Sequence, residues 1–72
     1  MDRIESLKFF IKVVEKKGIA AAGREFGMSS ATASERLGAV EAMYGAKLIN
    51  RTTRSIALTS EGEELLKGAR IL

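Results

Sequence analysis

A mainly α-helical domain with a small β-hairpin is the fold class this 72-residue sequence predicts. Three observations carry it. A short alanine-rich stretch, Ala20 to Phe26, runs into the tight turn Gly27-Met28-Ser29. A second helical stretch follows at once. Beyond it, the apolar runs Leu48-Ile49 and Ile56-Ala57-Leu58 flank the basic segment Arg51-Thr52-Thr53-Arg54. Helix, glycine turn, helix and basic hairpin, with one more helix ahead, make a winged helix-turn-helix: a three-helix core, a hairpin wing and the start of a further C-terminal helix.

Asp2 can cap a first helix that is expected to run to about Lys17, with Gly18 as its stop. Ile4, Leu7, Phe10, Ile11 and Val14 recur at helical spacing and form its expected core stripe. Phe9 and Val13, one turn apart, then fall on another side, with Lys8, Lys12 and Lys16 beside them. Two stacked apolar residues outside the core stripe fit either a partner surface or simple partial exposure.

The second helix is short and its small side chains allow another helix close, with Phe26 as an anchor. Gly27 suits a left-handed helix end, and Met28 closes the core at the turn. Ser29 or Ser30 caps the third helix, which spans about Ser30 to Tyr44 and stops at Gly45. Ala33, Leu37, Val40 and Tyr44 form its buried stripe. The opposite face holds Ala31, Ser34, Glu35, Gly38 and Ala42, flanked by Thr32 and Ala39. A solvent face would favour Lys, Glu, Gln and Arg. A face this small fits close approach to another surface, either nucleic acid or a second helix of a bundle.

Leu48-Ile49 and Ile56-Ala57-Leu58 are the expected strands of the wing. At its tip Arg51 and Arg54 can grip phosphate in a forked geometry, and Thr52 and Thr53 can add hydroxyls. Thr59 or Ser60 starts the last helix, and Ser60 with Glu63 has capping-box spacing. Leu65, Ala69 and Leu72 mark one face, with Leu66 beside them. The stripe is still running at Leu72, so the helix is expected to be truncated there. The expected organisation is a winged helix-turn-helix domain over residues 1–58 and a truncated helix over 59–72.

Charge supports the wing as a contact surface. Twelve basic and nine acidic residues give a net charge of +3. Residues 1–41 hold seven basic and six acidic side chains, whereas 42–60 hold Lys47, Arg51 and Arg54 with no acid. An acid-free basic hairpin fits either phosphate binding or a solvated loop. There is no Cys and no His, and no phosphate-cradling glycine motif. A disulfide, a metal site, a cofactor site and catalysis are therefore not expected. No apolar run approaches the ~18–20 residues of a membrane span, and no signal-peptide core is visible, so a cytoplasmic setting without a membrane partner is expected.

The chain resembles the N-terminal DNA-binding domain of LysR-type transcriptional regulators. The likeness spans nearly the whole length. It rests on Leu7, Phe10, Ala21-Ala22, Gly27-Met28-Ser29 and Ser34, then on Glu41, Gly45, Leu48, Arg51-Thr52-Thr53-Arg54, Leu58-Thr59 and Gly62. The resemblance implies sequence-specific binding of double-stranded DNA at an interrupted inverted repeat near a promoter. The recognition helix would lie in the major groove, through Ser29, Ser30, Ala31, Thr32, Ser34, Glu35 and Arg36. The wing residues Arg51, Thr52, Thr53 and Arg54 would lie on the backbone.

It also implies that residues 1–58 are the DNA-binding domain, that 59–72 begin a linker or dimerisation helix, and that the protein is a homodimer, or a tetramer at full length. A small effector would bind only a C-terminal domain absent from this sequence. Phe9, Val13, Leu65, Leu66, Ala69 and Leu72 are the expected dimer contacts. Two positions depart from the family's usual pattern. Ser30-Ala31 stands where Gln-Pro is usual, and Glu35 stands where the family is often basic or polar. A carboxylate repels phosphate unless it accepts from a cytosine amino group or pairs with Arg36. The other reading is a winged-helix protein-interaction module that binds no nucleic acid. The modest net charge and Glu35 favour it, and the acid-free hairpin opposes it.

Overall fold

The computed structural model describes residues 3–51 and 56–71. Four helices and one hairpin follow in the order α1 (Arg3–Lys16), α2 (Ile19–Glu25), α3 (Ser30–Tyr44), β1 (Ile49–Arg51), β2 (Ile56–Leu58) and α4 (Ser60–Ile71). The winged helix-turn-helix expected from the pattern is the architecture found. Asp2, the expected cap of the first helix, and Thr52, Thr53, Arg54 and Leu72 lie outside the described residues.

The core is built where α1, α2 and α3 meet and is completed by the base of the wing. Phe9, Phe10 and Val13 of α1 pack with Ala22 of α2, Ala33, Leu37 and Val40 of α3, then Leu48, Ile49 and Leu66. This corrects the expected face of α1. Phe9 and Val13 are 0% exposed, while Ile4 is 66% exposed. The buried stripe is Ser6, Phe9, Phe10 and Val13, and Leu7, Ile11 and Val14 are half-buried beside it. Both stripes have helical spacing. Rotating α1 to bury two phenylalanines, with small Ser6 alongside, removes more apolar area than burying Ile4 would. The Phe9 ring also meets Phe26 edge-on, with centroids 5.6 Å apart and planes at 69°. Phe26 itself stays 38% exposed, so it is an anchor at the margin of the core.

The stop of α1 also differs from expectation. Lys17, not Gly18, takes the left-handed conformation, at φ 54°. Its N–H donates to the Val14 carbonyl and that of Gly18 to the Val13 carbonyl. Gly18 is extended and sits at the N-cap of α2.

The turn between α2 and α3 follows the sequence reading. Gly27 has φ 72°, and the N–H of Met28 returns to the Gly23 carbonyl at 2.8 Å. Close helix approach is enforced at Gly23, where an added Cβ would lie 2.6 Å from the Ala33 Cβ. Ser29 is the N-cap of α3; its hydroxyl accepts from the N–H of Thr32 at 3.2 Å. The helix ends at left-handed Gly45. There Ala46 N–H reaches the Glu41 carbonyl at 3.1 Å, which satisfies a terminal acceptor.

The strands pair antiparallel with Ile49 opposite Leu58, Asn50 opposite Ala57 and Arg51 opposite Ile56. The first strand begins one residue later than expected and includes Arg51. Leu48 is held on both sides by other elements. Its N–H donates to the Glu41 carboxylate at 2.8 Å, and its carbonyl accepts from Thr59 N–H at 3.0 Å. The same Glu41 oxygen accepts from Ile49 N–H at 3.2 Å. The cap of α4 is Thr59 rather than Ser60. Its hydroxyl accepts from Gly62 N–H at 3.0 Å and donates to the Lys47 carbonyl at 2.6 Å. Gly62 sits so close to the Leu48 carbonyl that a side chain there would overlap backbone.

Two changes test this arrangement. Gly62→Ala is expected to destabilise the fold by about 1–3 kcal/mol, because the obstructing atom is backbone. Glu41→Ala leaves two N–H groups without their acceptor and is expected to lose about 1–3 kcal/mol. Urea denaturation followed by circular dichroism checks both; midpoints equal to the wild type would show that neither contact holds the wing.

Candidate nucleic-acid interface

Ser29 starts the site by ending the turn in an extended conformation and capping α3. Its hydroxyl also donates to the Thr32 hydroxyl oxygen at 3.0 Å. These two side chains are thereby ordered before any ligand arrives. Ser30 and Ala31 follow and are exposed, while Thr32, Ser34 and Arg36 are half-buried. The buried stripe of α3 is Ala33, Leu37 and Val40, as the periodicity predicts. A helix turns 100° per residue, so Ala31, Glu35 and Ala42 stand directly opposite that stripe. All three are exposed, and so are Gly38 and Ala39.

This outer face is not buried by the protein's own fold. The alternative of a second helix covering it therefore fails among the described residues. Gly38 makes the point most clearly. A Cβ added there would meet nothing within 4 Å. Nothing in the fold requires glycine at that position, although glycine in a helix interior is about 0.5–1 kcal/mol worse than alanine.

The wing carries the cationic part of the site. Arg51 is exposed at the end of β1, paired across the hairpin with Ile56. It makes no ion pair among the described residues, which leaves its guanidinium available. Thr52, Thr53 and Arg54, the rest of the expected tip, lie outside the described residues. Asn50 is exposed one residue earlier and was not singled out from the sequence. Its signal was available in principle: a polar residue in a strand directly after buried Ile49.

Charge is arranged differently on the α1–α2 side. There Lys12 pairs with Glu15 at 3.3 Å and Lys16 with Glu25 at 3.2 Å. The hydrogen bond from Lys16, followed by the charges of Lys16 and Lys12, holds the Glu25 carboxyl below its ordinary value. Such a pair helps folding above the usual carboxylate range and ceases to help as pH falls through the depressed value. Both pairs are solvent-exposed, so their contribution is small. Lys12 and Lys16 are thus each matched by a carboxylate, whereas Arg51 of the hairpin has no such partner among the described residues. Glu35 and Arg36 form no pair with each other, contrary to one of the two options for Glu35.

The expected dimer surface changes most. Phe9 and Val13 are interior residues of the monomer and cannot face a partner. Leu66 is only 8% exposed because the first turns of α4 lie against the base of the wing. Leu65 and Ala69 are half-buried, and Leu72 lies outside the described residues. The apolar surface left open on α1 belongs to Ile4, with half-buried Ile11 and Val14 beyond it. Val14 and Lys17 line a shallow groove with Ile56 and Leu58 of β2.

Among the described residues no cluster of His, Cys, Asp and Glu could hold a metal ion. No helix among them is long and apolar enough to cross a membrane.

Known proteins share this arrangement. Over 67 residues the chain is 40% identical to a probable hydrogen peroxide-inducible genes activator of Mycobacterium avium, covering 93% of this chain and 22% of that protein. Over 70 residues it is 39% identical to the HTH-type transcriptional activator AaeR of Escherichia coli K12, covering 97% of this chain and 23% of that one. The chain thus spans less than a quarter of the length of these curated relatives. The fold is similar to the CbnR DNA-binding domain in a crystal structure of its DNA complex. The TM-score is 0.83 at 36% identity, covering 97% of this chain and 79% of that one. The family model for bacterial regulatory helix-turn-helix proteins of the lysR family matches residues 4–63, and the chain belongs to that family.

Proposed function

We propose that this chain is the DNA-binding domain of a transcriptional regulator, with α3 as the helix that enters the major groove. One observation carries the reading: the outer face of α3 is open and nearly without bulk, and an acid-free basic hairpin follows it. The similarity to a LysR-family domain crystallised on DNA supports the same assignment. Ser30, Ala31, Thr32, Ser34 and Glu35 occupy the first turns of α3, the part a helix-turn-helix presents to base edges. Ser29 and Arg36 flank them. Arg51, Thr52, Thr53 and Arg54 bind the phosphate backbone.

Residues 1–58 form the binding domain in this reading, and 59–72 begin the helix that links it to the rest of a cytoplasmic regulator. The role is binding without catalysis. Effector recognition belongs to a region that the longer relatives have and this chain does not span. Dimerisation uses α4 through Leu65, Ala69 and Leu72, together with the Ile4 edge of α1. Two copies related by a twofold axis present two recognition helices to the half-sites of an inverted repeat.

Binding to generic duplex DNA across a salt series is the primary test. Arg51→Ala and Arg54→Ala are expected to weaken all duplexes alike and to lower the salt slope by about one unit per lost phosphate contact. Affinity that ignores salt, or a loss confined to one sequence at unchanged slope, would contradict the phosphate role. Gly38→Ala is expected to act in opposite directions in two assays. It should stabilise the free protein by about 0.5–1 kcal/mol, and the added methyl on the groove face should weaken DNA binding. Unchanged binding would show that this face stands clear of the DNA. For the dimer, Ile4→Asp with Leu65→Asp is expected to lower the mass seen in sedimentation equilibrium of a chain extended beyond Leu72, with the helical signal retained. An undiminished mass would place the interface elsewhere.

A further inference from the structure

We propose that Glu35 is the residue that sets base specificity, by demanding a cytosine amino group at one step of the site at the expense of general affinity. The inference rests on the DNA-binding reading and goes further by assigning the base and the sign of the effect. Glu35 is exposed and stands directly opposite the buried stripe of α3. Around it are Ala31, Gly38, Ala39 and Ala42, which carry a methyl or nothing. On that central strip Glu35 is the one side chain long enough to extend into a groove. Its carboxylate has no ion-pair partner among the described residues, Arg36 included. It therefore meets the nucleic acid as an uncompensated anion.

An ionised carboxylate is an acceptor only. It cannot bond phosphate, and it is repelled by base edges that present acceptors. Guanine shows two acceptors in the major groove, thymine shows a carbonyl, and adenine sets an acceptor beside its amino group. Cytosine alone offers an amino donor with no acceptor of its own beside it. A duplex without cytosine at the matching step leaves the carboxylate desolvated and unpaired near the phosphates. Discrimination thus comes largely from repulsion of wrong sequences.

The test compares the 72-residue wild type with Glu35→Gln and Glu35→Ala by selected-site sequencing and by titration of generic duplex. The wild-type motif is expected to contain a fixed cytosine at one step per half-site. Glu35→Gln, of the same shape, is expected to shift that step towards adenine, which a carboxamide pairs in two-point fashion. Glu35→Ala should relax the step, reducing discrimination there by about 5- to 150-fold. Both variants should bind generic duplex severalfold more tightly than the wild type. Motifs identical for all three proteins would overturn the assignment. So would tighter generic binding with an unchanged motif, because Glu35 would then only repel. A wild type that binds no duplex even at low salt would remove the DNA-binding reading as well, which separates the two failures.

Discussion

The Glu41 carboxylate is the joint on which the relation between α3 and the wing depends. One of its oxygens takes the N–H groups of Leu48 and Ile49, while its backbone carbonyl takes the N–H of Ala46. The last turn of α3 and the first residues of the wing are thereby bonded through a single residue. Charge-assisted bonds to backbone are among the stronger hydrogen bonds a small domain makes. The joint is closed from the other side by Thr59, which bonds to Lys47 and Leu48 and caps α4 with the same hydroxyl. The wing cannot swing relative to α3 without losing several of these bonds together. Arg51 is carried by that wing, so its position relative to α3 follows from contacts far from its own side chain.

A second constraint is economy of size. A domain of this length has little interior, and its helices must approach closely to exclude water from what there is. Gly23 against Ala33 brings α2 onto α3, and Gly62 against the Leu48 backbone brings α4 onto the wing. The largest fully buried side chains are Phe9, Phe10, Leu37, Leu48 and Ile49. The outer face of α3 is equally small for the opposite reason. There the closeness is unused by the fold, and Gly38 faces open space. Small residues at a helix crossing stabilise the chain, whereas small residues on an open face give up helix propensity. That contrast separates the packing surface of α3 from its open face.

Much of this was legible in the sequence because it is local. The glycine turn at Gly27, the Ser29 cap, the Gly45 stop and the Ala33, Leu37, Val40 stripe all follow from steric and hydrogen-bonding rules that act within one or two turns. The open face of α3 follows from the same stripe by helix geometry. The acid-free hairpin needs only a count of charges.

What the tertiary structure decided involves choices between patterns that are equal locally. Two stripes of α1 have helical spacing, and only docking against α2 and α3 selects Phe9 and Val13 over Ile4. The reason is the apolar area gained by burying two aromatic rings, one of them edge-on to Phe26. That choice removes Phe9 and Val13 from any partner surface and moves the open apolar edge to Ile4. Leu66 changes in the same way, because the Thr59 cap and the absent side chain of Gly62 lay α4 against the wing. The roles of Glu41 and Thr59 join residues 7 and 12 positions apart. No periodicity records such a pairing, since it is set by where the chain returns in space. The sequence by itself determined the elements, the caps of α3 and its open face; the packing of those elements decided which apolar side chains remain available to a second molecule.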